Sequence, residues 1–401
     1  MGTPVIDPRR VDDAVDASIS AAVTGAPGLP GVVAGVTTDR ATISLRAAGV
    51  HATDGDDPMT TDSVFAIFST TKPITATLAL QLVEEGTLDL DAPAADYAPR
   101  LGTIDVLEGF DDAGGLVLRA PQSPITTRHL LTHTAGFAYD FFDPTYRRLS
   151  SDHGVPGVIT ARLRSLTTPL LFDPGTRWSY GSSIDWAGLV VEGITGRPLG
   201  DVMSERILDP LGMTDTSFAL PPEPRSRRAV LHHRTTDGSL TPNHRWSMPA
   251  DPEVQMGGQG LYSTVPDYLR FIRMWLNDGR SDTGEQILRP ETVADASHSH
   301  LGRLAVTPLL SASPAVTNDA ELFPGAPKSW GLISMINDED APTGRPAGSL
   351  SWAGLANLYF WIDRRNRIGG YWASQIFPFF DHTALGAYLD LETAVYRALL
   401  P

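Results

Sequence analysis

The chain has 401 residues, 42% of them apolar, enough for a large core and more than one structural lobe. Its 47 acidic against 31 basic residues leave a formal charge of −16, which repels phosphate backbones and anionic lipid, so neither nucleic acid nor a membrane is an expected partner. No cysteine is present, which excludes disulfides, thiol catalysis and cysteine-ligated metal together.

The start, Met1-Gly2-Thr3-Pro4 running on to Asp7, Arg9 and Arg10, lacks the succession of a signal peptide. No stretch approaches the roughly 18 apolar residues of a membrane helix, so a cytoplasmic location is expected. Val11, Val15, Ile19 and Val23 recur every four residues and predict an amphipathic helix over 9–24. A turn rich in Gly and Pro leads to strands at 32–36 and 41–45, with Asp39-Arg40 as the hairpin connection. A polar surface loop is expected over 53–63.

Next comes a short apolar run, Val64 to Phe68, then Ser69-Thr70-Thr71-Lys72, then Ile74, Leu78, Leu82 and Val83 at helical spacing. Ser69 is therefore expected at or near a helix start, with Lys72 one turn on and facing the same way. A serine hydroxyl is a poor nucleophile until a base takes its proton, and lysine serves as that base only when neutral, a state that burial favours. A helix start adds free N–H groups that face developing charge on a carbonyl oxygen. Ser-x-x-Lys alone is short enough to arise by chance. The chain has only two lysines, Lys72 and Lys328, against a background of arginine, which cannot accept a proton.

Residues 88–97 read as an irregular connection and 99–124, rich in Gly, Asp and Pro, as a boundary between lobes. Thr126 to Gly136 predicts a capped helix ending at glycine, and short helices are expected at 155–168, 183–194 and 199–208. Residues 220–255, with Pro221, Pro222, Pro242 and Pro249, predict a long loop. Gly257-Gly258-Gln259-Gly260 lacks the lysine of a phosphate loop and reads as a close approach of backbones before a helix at 265–276. Strands are expected at 330–336, 350–360 and 369–377, the second interrupted at Trp352-Ala353-Gly354, with a closing helix at 383–398. Both ends are rich in strands and the middle is helical. The expected architecture is α+β: one α/β lobe with an antiparallel sheet from residues 1–115 and 320–401, and a mainly helical lobe from 116–319.

Tyr180 precedes the 183–194 helix. A phenol has a pKa of about 10, and a nearby lysine ammonium would stabilise its phenolate, letting it relay a proton between Ser69 and a leaving group. A hydrogen-bonded core tyrosine is the alternative. Ser182 is a candidate to orient substrate or to cap the helix. Trp178, Phe137, Tyr139, Phe141, Phe142 and Trp352 are candidates to line an apolar pocket. The His129/His133, His232/His233 and His298/His300 pairs lack a third ligand at diagnostic spacing, so structural roles and no metal are expected. The absence of Gly-x-Ser-x-Gly around Ser69 disfavours a His-based triad.

With Ser69-x-x-Lys72, Tyr180-Gly181-Ser182 and Trp352-Ala353-Gly354 in this order, the chain resembles the serine beta-lactamase and penicillin-binding-protein superfamily, above all the class C beta-lactamase-like carboxylesterases, or family VIII esterases. Leu130 to Gly136, Pro210-Leu211-Gly212-Met213 and Gly258 to Ser263 extend the likeness over residues 9–398. The resemblance implies a beta-lactamase/transpeptidase-like fold with the active site between its lobes. Ser69 would be the acylated nucleophile, Lys72 and Tyr180 the proton-transfer pair, and the N–H groups of Ser69 and Leu355 the oxyanion hole. No cofactor is implied. Two departures bear on substrate. The usual Tyr-x-Asn is Tyr180-Gly181-Ser182, and the usual Lys-Thr-Gly is Trp352-Ala353-Gly354, which replaces an ammonium by apolar area and favours neutral esters. A serine carboxylesterase acting on short to medium acyl esters is expected, with Trp352, Gly354, Ser182, Trp178 and Phe137 contacting substrate. A beta-lactamase, a D-amino-acid peptidase or amidase, an acyltransferase and a noncatalytic ligand-binding domain are the alternatives.

Overall fold

The computed structural model describes residues 6–220 and 227–400. Met1 to Pro4 and the prolines Pro221 and Pro222 of the expected loop lie outside the described residues. The first helix, α1 (Pro8–Thr24), begins where the Asp7 carboxylate accepts the Arg9 N–H and Pro8 sets the backbone, and it buries Val11, Val15 and Ile19.

The hairpin of β1 (Gly31–Thr38) and β2 (Thr42–Gly49) joins five strands from the far end of the chain: β3 (Lys328–Trp330), β4 (Met335–Asn337), β5 (Leu350–Gly354), β6 (Leu358–Asp363) and β7 (Ile368–Ala373). They form one seven-stranded sheet in the order β2-β1-β7-β6-β5-β4-β3, and every pairing is antiparallel. The inner strands β5, β6 and β7 are buried along their whole length, whereas β2 at the edge is mostly half-buried or exposed. Two of the expected helices cover this sheet. One, α4 (Val265–Leu276), is capped by Thr264 and packs on β1 and β7; the other, α5 (His382–Ala398), packs on α1.

Inside lies α2 (Lys72–Glu84), buried at every position from Lys72 to Leu80 and packed against α3 (Ser183–Thr195). A helix buried all round has no solvent face, which is why its apolar spacing is less regular than that of α1. Ser69 itself lies in a single 3-10 turn, Phe68–Thr71, just before α2. Pro73 at the start of α2 has no N–H to give to an earlier turn, so the regular helix begins one turn after the serine.

Five expectations change. The presumed boundary at 99–124 holds a hairpin, Val106–Phe110 with Leu116–Arg119, whose turn is tied by the Asp111 carboxylate accepting the N–H groups of Ala113 and Gly115. The helix after Thr126 runs only over Thr127–Leu131, because His133 takes a left-handed φ of 57°. The expected 155–168 helix is two 3-10 turns, and a helix stands earlier instead, at Pro144–His153 behind the Asp143 cap. Within the expected 220–255 loop, Leu231–Arg234 pairs with Leu240–Asn243 and with Ile376–Phe377. Trp352-Ala353-Gly354 does not interrupt its strand; the break follows at Leu355–Asn357, where Asn357 adopts φ 62°. Among the described residues no helix is long and apolar enough to cross a membrane.

Candidate active site

The Ser69 turn packs against β5, and Gly354 makes the approach possible: a Cβ built there would lie 2.5 Å from the Ile67 carbonyl oxygen. The end of β5, and with it the Leu355 N–H, is thereby brought to the turn that carries the serine. Gly354→Ala is expected to force these backbones apart. A lowered melting temperature together with a kcat loss of about 100-fold, the size expected if the Leu355 N–H serves as an oxyanion donor, is the outcome to measure.

Lys72 occupies the first position of α2 and is 1% exposed. Its Nζ stands 3.0 Å from Ser69 Oγ, 3.0 Å from the Tyr139 hydroxyl and 2.8 Å from the Gly258 carbonyl oxygen. The carbonyl can only accept, so the amine donates there, whereas either hydroxyl can donate into the nitrogen lone pair once the amine is neutral. Burial favours that neutral form and pushes Lys72 down to about 7, opposed by the negative charge of Asp185. Asp185, fully buried in the first turn of α3, is pushed above the usual carboxylate range by the same desolvation, and Lys72 pulls it back. Its Oδ1 accepts the Gly258 N–H at 2.8 Å.

Tyr180 lies against the amine, with Nζ 4.7 Å from the ring centroid. Its hydroxyl accepts the Trp352 indole N–H at 2.9 Å. The expected phenolate is not favoured: burial raises Tyr180 above the ordinary phenol value, and the hydrogen bonds from Ser69 and Trp352 offset this only in part. Tyr180 is a neutral hydroxyl poised to donate. His133 packs tilted against the Tyr180 ring, centroid to centroid 4.8 Å, and burial together with the Lys72 charge pushes it well below 6.5. Its ring nitrogens have no hydrogen-bond partner among the described residues, so it stands as an uncharged wall, not a base for Ser69.

Trp178 and Tyr180 open onto a cleft of about 620 Å3, bordered also by Phe142, Leu171, Leu304 and Leu309. Phe137 is elsewhere: it is fully buried, stacked on Trp186 at 6.1 Å, and belongs to the core. Ser182 is 1% exposed, and its side chain neither caps α3 nor finds a partner among the described residues. His129 closes a capping box with Thr126, and His232 Nε2 accepts the Thr53 N–H. Two groups at the site escaped the sequence reading. Tyr139 figured there only as a pocket aromatic, and Asp185 not at all, although a carboxylate five residues after Tyr180, followed by the apolar run Trp186 to Val191, was a visible signal.

The Beta-lactamase family model matches residues 15–394. The chain is similar to the monacolin J acid methylbutanoyltransferase of Aspergillus terreus, at 34% identity over 84% of this chain and 83% of that protein. It is also similar to the lovastatin esterase of Penicillium rubens, at 35% identity over 79% and 81% respectively. A mutant of simvastatin synthase from Aspergillus terreus superposes with a TM-score of 0.83 at 30% identity, covering 99% of each chain. The protein therefore belongs to the beta-lactamase family and is an enzyme of the serine beta-lactamase and penicillin-binding-protein superfamily.

Proposed function

We propose that this enzyme transfers a short- to medium-chain acyl group from an ester to the hydroxyl of a second small molecule through a Ser69 acyl-enzyme, with hydrolysis as the competing branch. The reading rests on one observation: Ser69 Oγ lies 3.0 Å from an amine whose pKa burial lowers to about 7, which populates its neutral form near neutral pH. Ser69 attacks the ester carbonyl while its proton passes to Lys72 Nζ. The oxyanion takes hydrogen bonds from the N–H groups of Ser69 and Leu355. The departing alcohol oxygen receives the Tyr180 proton, and the proton held at Lys72 restores the phenol. An acceptor hydroxyl then retraces these steps, giving its proton to Tyr180 and Lys72 and its oxygen to the acyl carbon.

Transfer is favoured over hydrolysis by the cleft beside Tyr180. Its walls combine apolar side chains, Phe142, Leu171, Leu304 and Leu309, with charged ones, Asp143, Arg177 and Arg303, and offer an alcohol of drug-like size a bound position beside Tyr180, which water competes against only by concentration. The similar proteins include both a methylbutanoyltransferase and an esterase, in keeping with one acyl-enzyme that partitions between two acceptors. The replacement of the Lys-Thr-Gly ammonium by Trp352 supports neutral esters as donors over beta-lactams.

The test is the product ratio. With p-nitrophenyl butyrate as donor and an apolar alcohol at millimolar concentration, butyrate ester should form in large excess over the alcohol-to-water ratio. Butyric acid as the sole product at every alcohol concentration would reduce the reading to a hydrolase.

A further inference from the structure

Asp185 touches neither Ser69 nor the cleft, yet it is fully buried within the machinery described above. Burying a carboxylate is costly unless its oxygens are satisfied. Only Oδ1 is bonded among the described residues, to the Gly258 N–H, while Oδ2 has no hydrogen-bond partner there. Gly258 permits the contact, since a Cβ on it would lie 2.6 Å from Oδ2. The same residue offers its carbonyl to Lys72 at 2.8 Å. Gly258 is thus held at both ends, by the acid through its N–H and by the amine through its C=O.

The other groups facing Lys72 are the hydroxyls of Ser69 and Tyr139, the ring of Tyr180, with both phenols raised by burial, and the ring of His133, kept neutral by the same cause. Asp185 is the carboxylate that acts on the amine. We propose that Asp185 is a positioning residue for acyl transfer: it fixes the Gly258 backbone that aims Lys72 at Ser69, and its negative charge governs when Lys72 gives up its proton. A carboxylate bonded on one oxygen only serves this end, because a fully satisfied or cation-paired acid would lend the amine less charge. The proposal rests on the reading of Lys72 as the base.

The scarcity of lysine makes the test direct. In full-length protein labelled with 13C-lysine, only Lys72 and Lys328 give side-chain resonances, and Lys72→Met assigns them. In Asp185→Asn, the Lys72 titration and the acid limb of kcat/KM for p-nitrophenyl butyrate should both move down by roughly one pH unit or more, because an attracting charge has been removed. The Lys328 resonance should stay where it was. A folded Asn variant whose Lys72 titrates as in the parent overturns the role of Asp185 and leaves Lys72 as base untouched. A shifted Lys72 with an unmoved acid limb overturns Lys72 as base, and the proposal with it. Should the Asn variant not fold, Asp185→Ser replaces it, and the parent supplies a further reading. Its Lys72 resonance should show a second inflection, from Asp185, at lower pH than its own; a single step contradicts the proposal.

Discussion

Replacing Ser69 with alanine is expected to abolish covalent labelling and to lower kcat/KM toward p-nitrophenyl butyrate by about 10⁴-fold or more. The size of the loss follows from the arrangement. In the proposed mechanism Lys72 acts on the Ser69 oxygen, while the backbone donors and Tyr180 act on oxygens of the substrate, so removing the Ser69 oxygen leaves binding and oxyanion stabilisation without a nucleophile. Stability should hardly change, within about 0.5 kcal/mol, because Ser69 is only half-buried and the buried Lys72 amine keeps its Tyr139 and Gly258 partners. Kinetics and a thermal melt on the same preparation therefore separate the two effects. A variant that keeps its melting temperature and its activity would remove Ser69 from the mechanism.

Lys72→Met is expected to lower the acylation rate by about 10³-fold or more, since no other group near Ser69 accepts its proton. Tyr180 is held neutral by burial and His133 packs tilted against it without a hydrogen bond, so neither replaces the amine. The same substitution has a signature in stability. An unfolded lysine titrates near 10.4, whereas in the folded protein Lys72 is depressed to about 7. Between these values the unfolded chain binds the extra proton. Lys72 then adds to stability above its unfolded pKa, and that contribution is lost as pH falls toward the folded one. From pH 7.5 to 9.5 the parent should gain on Lys72→Met by up to about 1 kcal/mol per pH unit. Asp185 adds no slope in this window, being ionised in both states. Parallel melting curves for the two proteins across that range would contradict a buried neutral amine.

Much of this site was legible because its parts are local. Ser69 and Lys72 fall within one turn, and a lysine kept in a chain written with arginine marks itself out. The helices α1, α4 and α5 were equally plain, each with a side-chain cap and apolar positions at helical spacing. The sheet was inferred from strand-rich ends, yet its register, with β1 against β7, depends on contacts more than three hundred residues apart. The hairpins at Val106–Arg119 and Leu231–Asn243 were missed because strands of four or five residues carry too little alternation to stand out from loops. Tyr139 and Asp185 have meaning only through their distances to Lys72 and Gly258, which no spacing encodes. Phe137 was offered to the pocket for being aromatic, but its ring points to Trp186. The phenolate assigned to Tyr180 weighed the neighbouring charge and left out desolvation, which is the larger effect.

The most direct measurement is rapid-quench mass spectrometry of the parent enzyme with p-nitrophenyl butyrate, followed by a chase with an apolar alcohol. A butyryl group should appear on the peptide containing Ser69 within the burst, and the alcohol should discharge it faster than buffer alone while releasing the butyrate ester. A burst without a modified Ser69 peptide, or an adduct whose decay ignores the alcohol, would contradict acyl transfer through Ser69.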